Sequence, residues 1–314
     1  RPLLEMCMNR ANSEKKEERM LSANLISNII LFVNDWDALA DIPGFSKFIL
    51  SSFKDHLVIK YSIEEGTDFL HALEQPMANE HPILMPIMDD LLDSLFKALK
   101  SADLFIRCSL FRVLFCYLFK GMNDPMNHFK KVVPLIFDYA VQCSTDSKYS
   151  TCIRSSMKIL NCYLQKDLTE KQVVFLKTEM NKLDNVRSFS LLNELVICAR
   201  CFVEEKPQLF SSLTDLPFNE WEFCSLCESI STYPSAFIES VLEFFLECAL
   251  HHLQSLTVVH SIVDLISKMN NPVLDCYKFI KKFIEMKEPN KVLVISALVQ
   301  YTSNQDLPSL IMPL

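Results

Sequence analysis

Apolar residues recur along this chain every three or four positions, the spacing that lines one face of an α-helix. The clearest stretch runs from Pro86 to Gly121. Its first half puts Ile87, Leu91, Leu92, Leu95 and Leu99 on one stripe. Its second half puts Ile106, Leu110, Val113, Leu114 and Tyr117 on one face, while Phe105, Phe111, Phe115 and Leu118 fill much of the rest. The pattern predicts two helices joined by a tight turn, with Ser101 as N-cap of the second, Asp103 in its first turn and Gly121 as its C′ residue. A helix apolar nearly all round must be covered on several sides. A single hairpin of helices cannot do that; a stack of them can.

The same periodicity organises the rest of the chain. It predicts a helix from Ser13 to about Asn34, a short turn at Trp36–Ile42 broken at Pro43-Gly44, helices near 46–60 and 64–74, and a loop from Gln75 to Pro82. From there helix pairs start near 82, 126, 169, 217 and 256, in steps of 44, 43, 48 and 39 residues. That range fits arrays built from helix pairs of about 40–47 residues. Thr169 and Gln172 have capping-box spacing, Asn219 precedes the helix carrying Trp221, and Pro234 and Pro272 stand where first-turn prolines belong.

Pro86, the leucines after it, Asp103 and the pair Ile106-Arg107 together resemble a HEAT repeat. The next unit echoes the first. Pro134 precedes Arg154 by 20 residues, as Pro86 precedes Arg107 by 21; Ile153-Arg154-Ser155-Ser156 matches Ile106-Arg107-Cys108-Ser109; and Cys162-Tyr163-Leu164 matches Cys116-Tyr117-Leu118 after a one-residue deletion. The motif-level likeness covers about residues 82–165. It implies an all-α fold, a right-handed superhelical α-solenoid of HEAT- or armadillo-like helix pairs. It also implies that Asp103 and Arg107 sit at the inter-helix turn and tie neighbouring repeats together. Spacing alone leaves a local Asp103–Arg107 ion pair open. The expected division is a helical N-terminal region over 1–81 with atypical or capping repeats, the repeats over 82–303, and an irregular tail over 304–314.

Composition narrows the function. Only 3 of 314 residues are Gly, which disfavours hairpin-rich sheets and Gly-rich phosphate loops. A net charge of −8 gives no electrostatic reason to expect duplex DNA or an anionic membrane. The longest apolar run, Phe237 to Leu250, is interrupted by Glu239, Glu243 and Glu247, so no membrane span is expected. The twelve cysteines are spread through apolar helical segments, and no leader pattern opens the chain, although residue 1 is Arg and a longer chain is open. The expectation is an intracellular protein, nuclear or cytoplasmic, with reduced thiols.

Three chemistries compete. Catalytic motifs such as GxxxxGK[ST], GxGxxG, GxSxG and HExxH are missing, so the expected function is a non-enzymatic scaffold, without cofactor, that binds helical or extended segments of other chains in a larger complex. Its candidate partner surface comprises Phe244 and Phe245 in the run Val241–Leu250, and Lys278, Lys281 and Lys282 on an amphipathic helix with Phe279 and Phe283. The second reading is a nucleic-acid-associated HEAT subunit of a chromosome-organising or genome-maintenance complex, which needs basic residues aligned over several repeats. The third is a zinc protein: Cys198-x-x-Cys201 and Cys224-x-x-Cys227 form two CxxC pairs, but their neighbours Ile197, Ala199, Phe223 and Leu226 favour core packing.

Overall fold

The computed structural model describes residues 2–10, 13–15, 17–18, 21–22, 25, 28, 36–57, 63–121, 124–145, 147–183, 188–270 and 276–301. Among these residues the only regular secondary structure is helix. Most of the helix expected from Ser13 to Asn34 falls outside the described residues, as do Pro272 and the 304–314 tail. The chain divides into two compact units, residues 1–179 and 180–314.

The first unit contains α1 (Pro2–Arg10), α2 (Trp36–Ala40), α3 (Phe45–Leu57), α4 (Ile63–Ala78), α5 (Met88–Ser101), α6 (Leu104–Phe115), α7 (Phe129–Ser144), α8 (Ile153–Leu164) and most of α9 (Glu170–Met180). Consecutive helices pack in pairs: α3 on α4, α5 on α6, α7 on α8. The second members α4, α6 and α8 also pack on one another in a row, and α3 packs on α5. The all-round apolar sequence of α6 explains its central place. Ile106, Leu110, Phe111, Val113 and Leu114 are all buried, because α4, α5 and α8 cover different sides of the same helix. The stripe on α5 is one-sided: Leu91, Leu92, Leu95 and Leu99 are buried, while Asp89, Asp90 and Asp93 face outward.

Three local predictions change. The predicted loop at Gln75 begins later, because α4 runs through Pro76 to Ala78 with Leu73 and Met77 wholly buried beneath it. Its end is a Schellman turn: the His81 N–H donates to the Pro76 carbonyl, and Glu80 takes the left-handed conformation at φ 47°. The N-cap of α6 is Asp103, not Ser101; α5 continues through Ser101, Ala102 is extended, and the Asp103 carboxylate accepts the Phe105 N–H at 2.8 Å. Gly121 is not a left-handed C′ residue either. The last turn of α6 widens into a π-turn over Cys116–Lys120, and Gly121 is extended at φ −74°. Glycine is needed there for space, since a Cβ would lie 2.7 Å from the Tyr117 carbonyl oxygen.

The second unit contains α10 (Phe189–Cys198), α11 (Arg200–Val203), α12 (Glu220–Ile230), α13 (Ser235–Leu250), α14 (Leu256–Ile266), α15 (Cys276–Glu285) and α16 (Lys291–Val299). Here α10, α12, α14 and α16 pack in one row. The other side is built from short 3-10 turns at 207–215, then α13, then α15. The expected starts at 217 and 256 put α13 with α12 and α15 with α14. Instead α13 packs chiefly on α14 and on the 207–215 turns, and α15 on α16. The spacing also shortens. Side-chain ties in the first unit join residues 35 to 47 apart, as in Arg107–Gln142 and Cys108–Ser155. Most of those in the second join residues 31 to 37 apart, as in Asn270–Glu239, Asn193–Ser225 and Tyr233–Val196. Turns replace a full helix at 207–215, so this unit needs fewer residues per layer.

Candidate functional site

The HEAT-like residues fall into different roles. Arg107 is only 9% exposed. Its Nε donates to the Ala102 carbonyl at 2.7 Å, in the turn between α5 and α6, and its Nη1 donates to Gln142 Oε1 at 2.7 Å on α7. The guanidinium thus ties one helix pair to the next through neutral oxygens. The local ion pair with Asp103 does not form, because that carboxylate caps α6. Pro86 lies in a 3-10 turn immediately before α5, whereas Pro134 lies inside α7. The positional counterpart of Pro86 is Pro125, which opens the 3-10 turn before α7. Arg154, matched to Arg107 by sequence, is exposed.

The partner-surface residues also separate. Phe245 is fully buried between the rings of Phe210 and Phe223, 5.8 Å from each, so it belongs to the core and offers nothing to a partner. Phe244 beside it is half-buried. Lys278 pairs with Glu243 at 3.1 Å, and Lys282 pairs with Glu247, both on α13. Lys281 sits over the Tyr277 ring at 4.4 Å. Two of the three cations are therefore matched by carboxylates of the same unit.

The two CxxC pairs do not meet in a metal-binding arrangement: among the described residues no three His, Cys, Asp or Glu side chains converge to hold an ion. Cys227 is buried while Cys201 is exposed, so the four serve different surroundings. Burial raises the thiols of Cys201, Cys224 and Cys227, which disfavours the thiolates that zinc requires.

A groove lies on the row of α12 and α14. Trp221, Cys224, Ser225, Glu228 and Ser231 line one wall, and Ser261 and Asp264 the other, around about 400 Å³. Trp221 is 74% exposed. Glu228 and Asp264 are exposed, and neither carboxylate has a hydrogen-bond or ion-pair partner among the described residues. The floor is rigid. Asn193 on α10 donates to Ser225 Oγ at 3.1 Å and accepts from Ser229 Oγ at 2.9 Å, and Asn219 caps α12 through the Glu222 N–H. The groove therefore offers an aromatic face beside two free negative charges.

No family model matches this chain, and no curated protein does.

The sequence pattern puts Trp221 on a helix without singling it out. The signal was present. The buried stripe of α12 is Phe223, Leu226, Cys227 and Ile230, and Trp221 falls off it, on the face of Ser225 and Glu228. A large aromatic on the polar face of an amphipathic helix has no core to fill. A second groove, of about 430 Å³, lies in the first unit among Lys54, Asp90, Asp93, Ser94 and Lys97. It mixes both charges and has no aromatic residue. No helix among the described residues is long and apolar enough to cross a membrane.

Proposed function

We propose that this chain is a non-enzymatic protein-interaction scaffold, an α-solenoid of HEAT-like helix pairs, and that the Trp221 groove receives a segment of another protein. The exposed Trp221 beside unpartnered Glu228 and Asp264 carries the reading. The occupant it fits is a helical or extended segment bearing a Lys or Arg, with the cation over the indole and between the two carboxylates. Such a contact combines cation–π attraction with charge-assisted hydrogen bonds. The rows of packed helices support the solenoid part, since rows of this kind present long surfaces made of neighbouring turns. The resemblance of the unit with Pro86, Asp103 and Arg107 supports the HEAT part, with Arg107 tying successive pairs. The nucleic-acid reading is weaker because Lys278 and Lys282 are already matched to Glu243 and Glu247.

The test compares quantitative affinity purifications of the parent chain, Trp221→Ala and Asp264→Lys, with dichroism spectra to show that all three fold alike. A partner lost at least tenfold from both variants, and bound through a peptide whose Lys or Arg is required, is the expected result. Partners retained equally by all three chains would remove the groove from the function.

A further inference from the structure

Exposed apolar side chains in the second unit recur with its layers. Trp221 is the second residue of α12, Leu256 the first of α14, and Val292 the second of α16, with Leu293 beside it. The steps are 35 and 36 residues, and Trp221, Leu256 and Val292 are each more than half exposed. The three helices run parallel. Ahead of α12 and α14 the Phe218 and His252 rings stack with centroids 3.5 Å apart, and further along Glu228 and Asp264 line the same groove. Asn290, at the start of α16, donates to the Leu253 carbonyl ahead of α14. Beyond the far ends of the same two helices, the Tyr301 hydroxyl donates to the Met269 carbonyl. First turns therefore lie beside first turns, and the apolar residues form a stripe across three helices.

We propose that this stripe binds an extended segment of another protein, in the polyproline II conformation, with an apolar side chain at every third residue and a Lys or Arg at the end beside Trp221. This rests on the reading of the Trp221 groove as the place where a partner segment docks, and it names the conformation and pattern of that segment. Spacing selects the conformation. Helices packed side by side lie about 8–10 Å apart. A polyproline II chain rises about 3.1 Å per residue with three residues per turn, so every third side chain returns to one face after about 9 Å. A β-strand turns residues three apart to opposite faces. An α-helix returns a side chain to the same face after about 5.4 Å or about 10.8 Å, the first too short and the second too long.

Charge selects the basic end. Helices α12 and α14 carry Glu220, Glu222, Glu228 and Asp264, and neither contains a Lys or Arg. The cation of α16 is Lys291, whose ammonium is held by the Ile284 and Met286 carbonyls at 2.7 and 2.6 Å. A partner cation therefore meets carboxylates at the Trp221 end and no like charge from these three helices. A chain already stiff in polyproline II loses little freedom on docking, which suits a surface offering one apolar contact per layer. An exposed indole is also a common platform for such chains.

The experiment titrates the full chain with the synthetic peptide RPPLPPLPPL and with its reverse, LPPLPPLPPR, following heat by calorimetry and the Trp221 indole signal by NMR. At least one peptide is expected to bind and to shift that signal. Its affinity is expected to fall at least fivefold (about 1 kcal/mol) in Leu256→Glu, in Val292→Glu and in Asp264→Lys, with dichroism showing that all fold like the parent. A peptide with Leu at every fourth residue, RPPPLPPPLPPPL, is expected to bind at least fivefold more weakly. No binding by either peptide, equal binding at the four-residue spacing, or affinity unchanged in Leu256→Glu and Val292→Glu would each overturn the stripe. The same variants separate the two readings in the affinity purification. Partners lost from Trp221→Ala and Asp264→Lys but kept by Leu256→Glu and Val292→Glu would overturn the stripe and leave the groove. Partners kept by all four would remove both.

Discussion

Arg107 shows how one side chain can hold two helix pairs together. A guanidinium that is 9% exposed must keep its donors satisfied, and both visible acceptors are neutral oxygens. Replacing it with Ala strands the Ala102 carbonyl and the Gln142 amide, and is expected to cost about 2–3 kcal/mol in a denaturant melt. Arg107→Lys is expected to recover little of that, because one ammonium cannot reproduce the forked geometry. Arg112 is the control. It is exposed and pairs with Glu74 at 2.9 Å, so Arg112→Ala is expected to cost only about 0.5 kcal/mol. Equal midpoints for Arg107→Ala and the parent chain would refute the tie. Two backbone positions invite opposite changes. Glu80 holds a left-handed conformation that glycine adopts freely, so Glu80→Gly is expected to raise stability by up to about 1 kcal/mol. Gly121→Ala forces a methyl against the Tyr117 carbonyl and is expected to lower it by about 1–3 kcal/mol. Thermal midpoints moving the same way in both variants would contradict this reading of the two turns.

At the scale of elements, the sequence was most legible where one helix carries one strong stripe. The α5 leucines and the all-apolar α6 sit where their periodicity puts them, since burial is what the pattern records. Boundaries were read less well, because they depend on which polar residue first leaves the helix, and Asp103 outcompeted Ser101. Pairing in the second unit was not legible. Nothing in the pattern of α13 distinguishes a face meant for α14 from one meant for α12, since it is apolar on both. Phe245 is hidden for the same reason, a core ring in a run whose apolar pattern also suits a docking face. Phe245→Ala is accordingly expected to cost about 3–5 kcal/mol, and Phe244→Ala clearly less, as measured by urea titration. Comparable losses would mean that α13 buries both rings alike. The candidate groove was legible in principle from the single off-stripe Trp221, yet its acidic far wall on α14 comes from another helix that no local pattern joins to it.

For the whole molecule, the recurring ties matter more than any one of them. In the second unit Lys278 meets Glu243 and Lys282 meets Glu247, each across 35 residues, and Asn270 meets Ser235 across the same interval. Among the described residues of this unit each layer packs chiefly on the layers beside it, and no extensive contact joins its first layer to its last. Pulled from its ends, such a chain has no single lock to break. Stretched in an optical trap, this unit is expected to surrender one layer at a time, each releasing about 120 Å of slack for 35 residues at about 3.5 Å apiece. A single rip of the whole unit would show instead that the layers share one lock. Staged yielding would make this a chain that lengthens under load while still holding part of its surface folded, a spring rather than a latch.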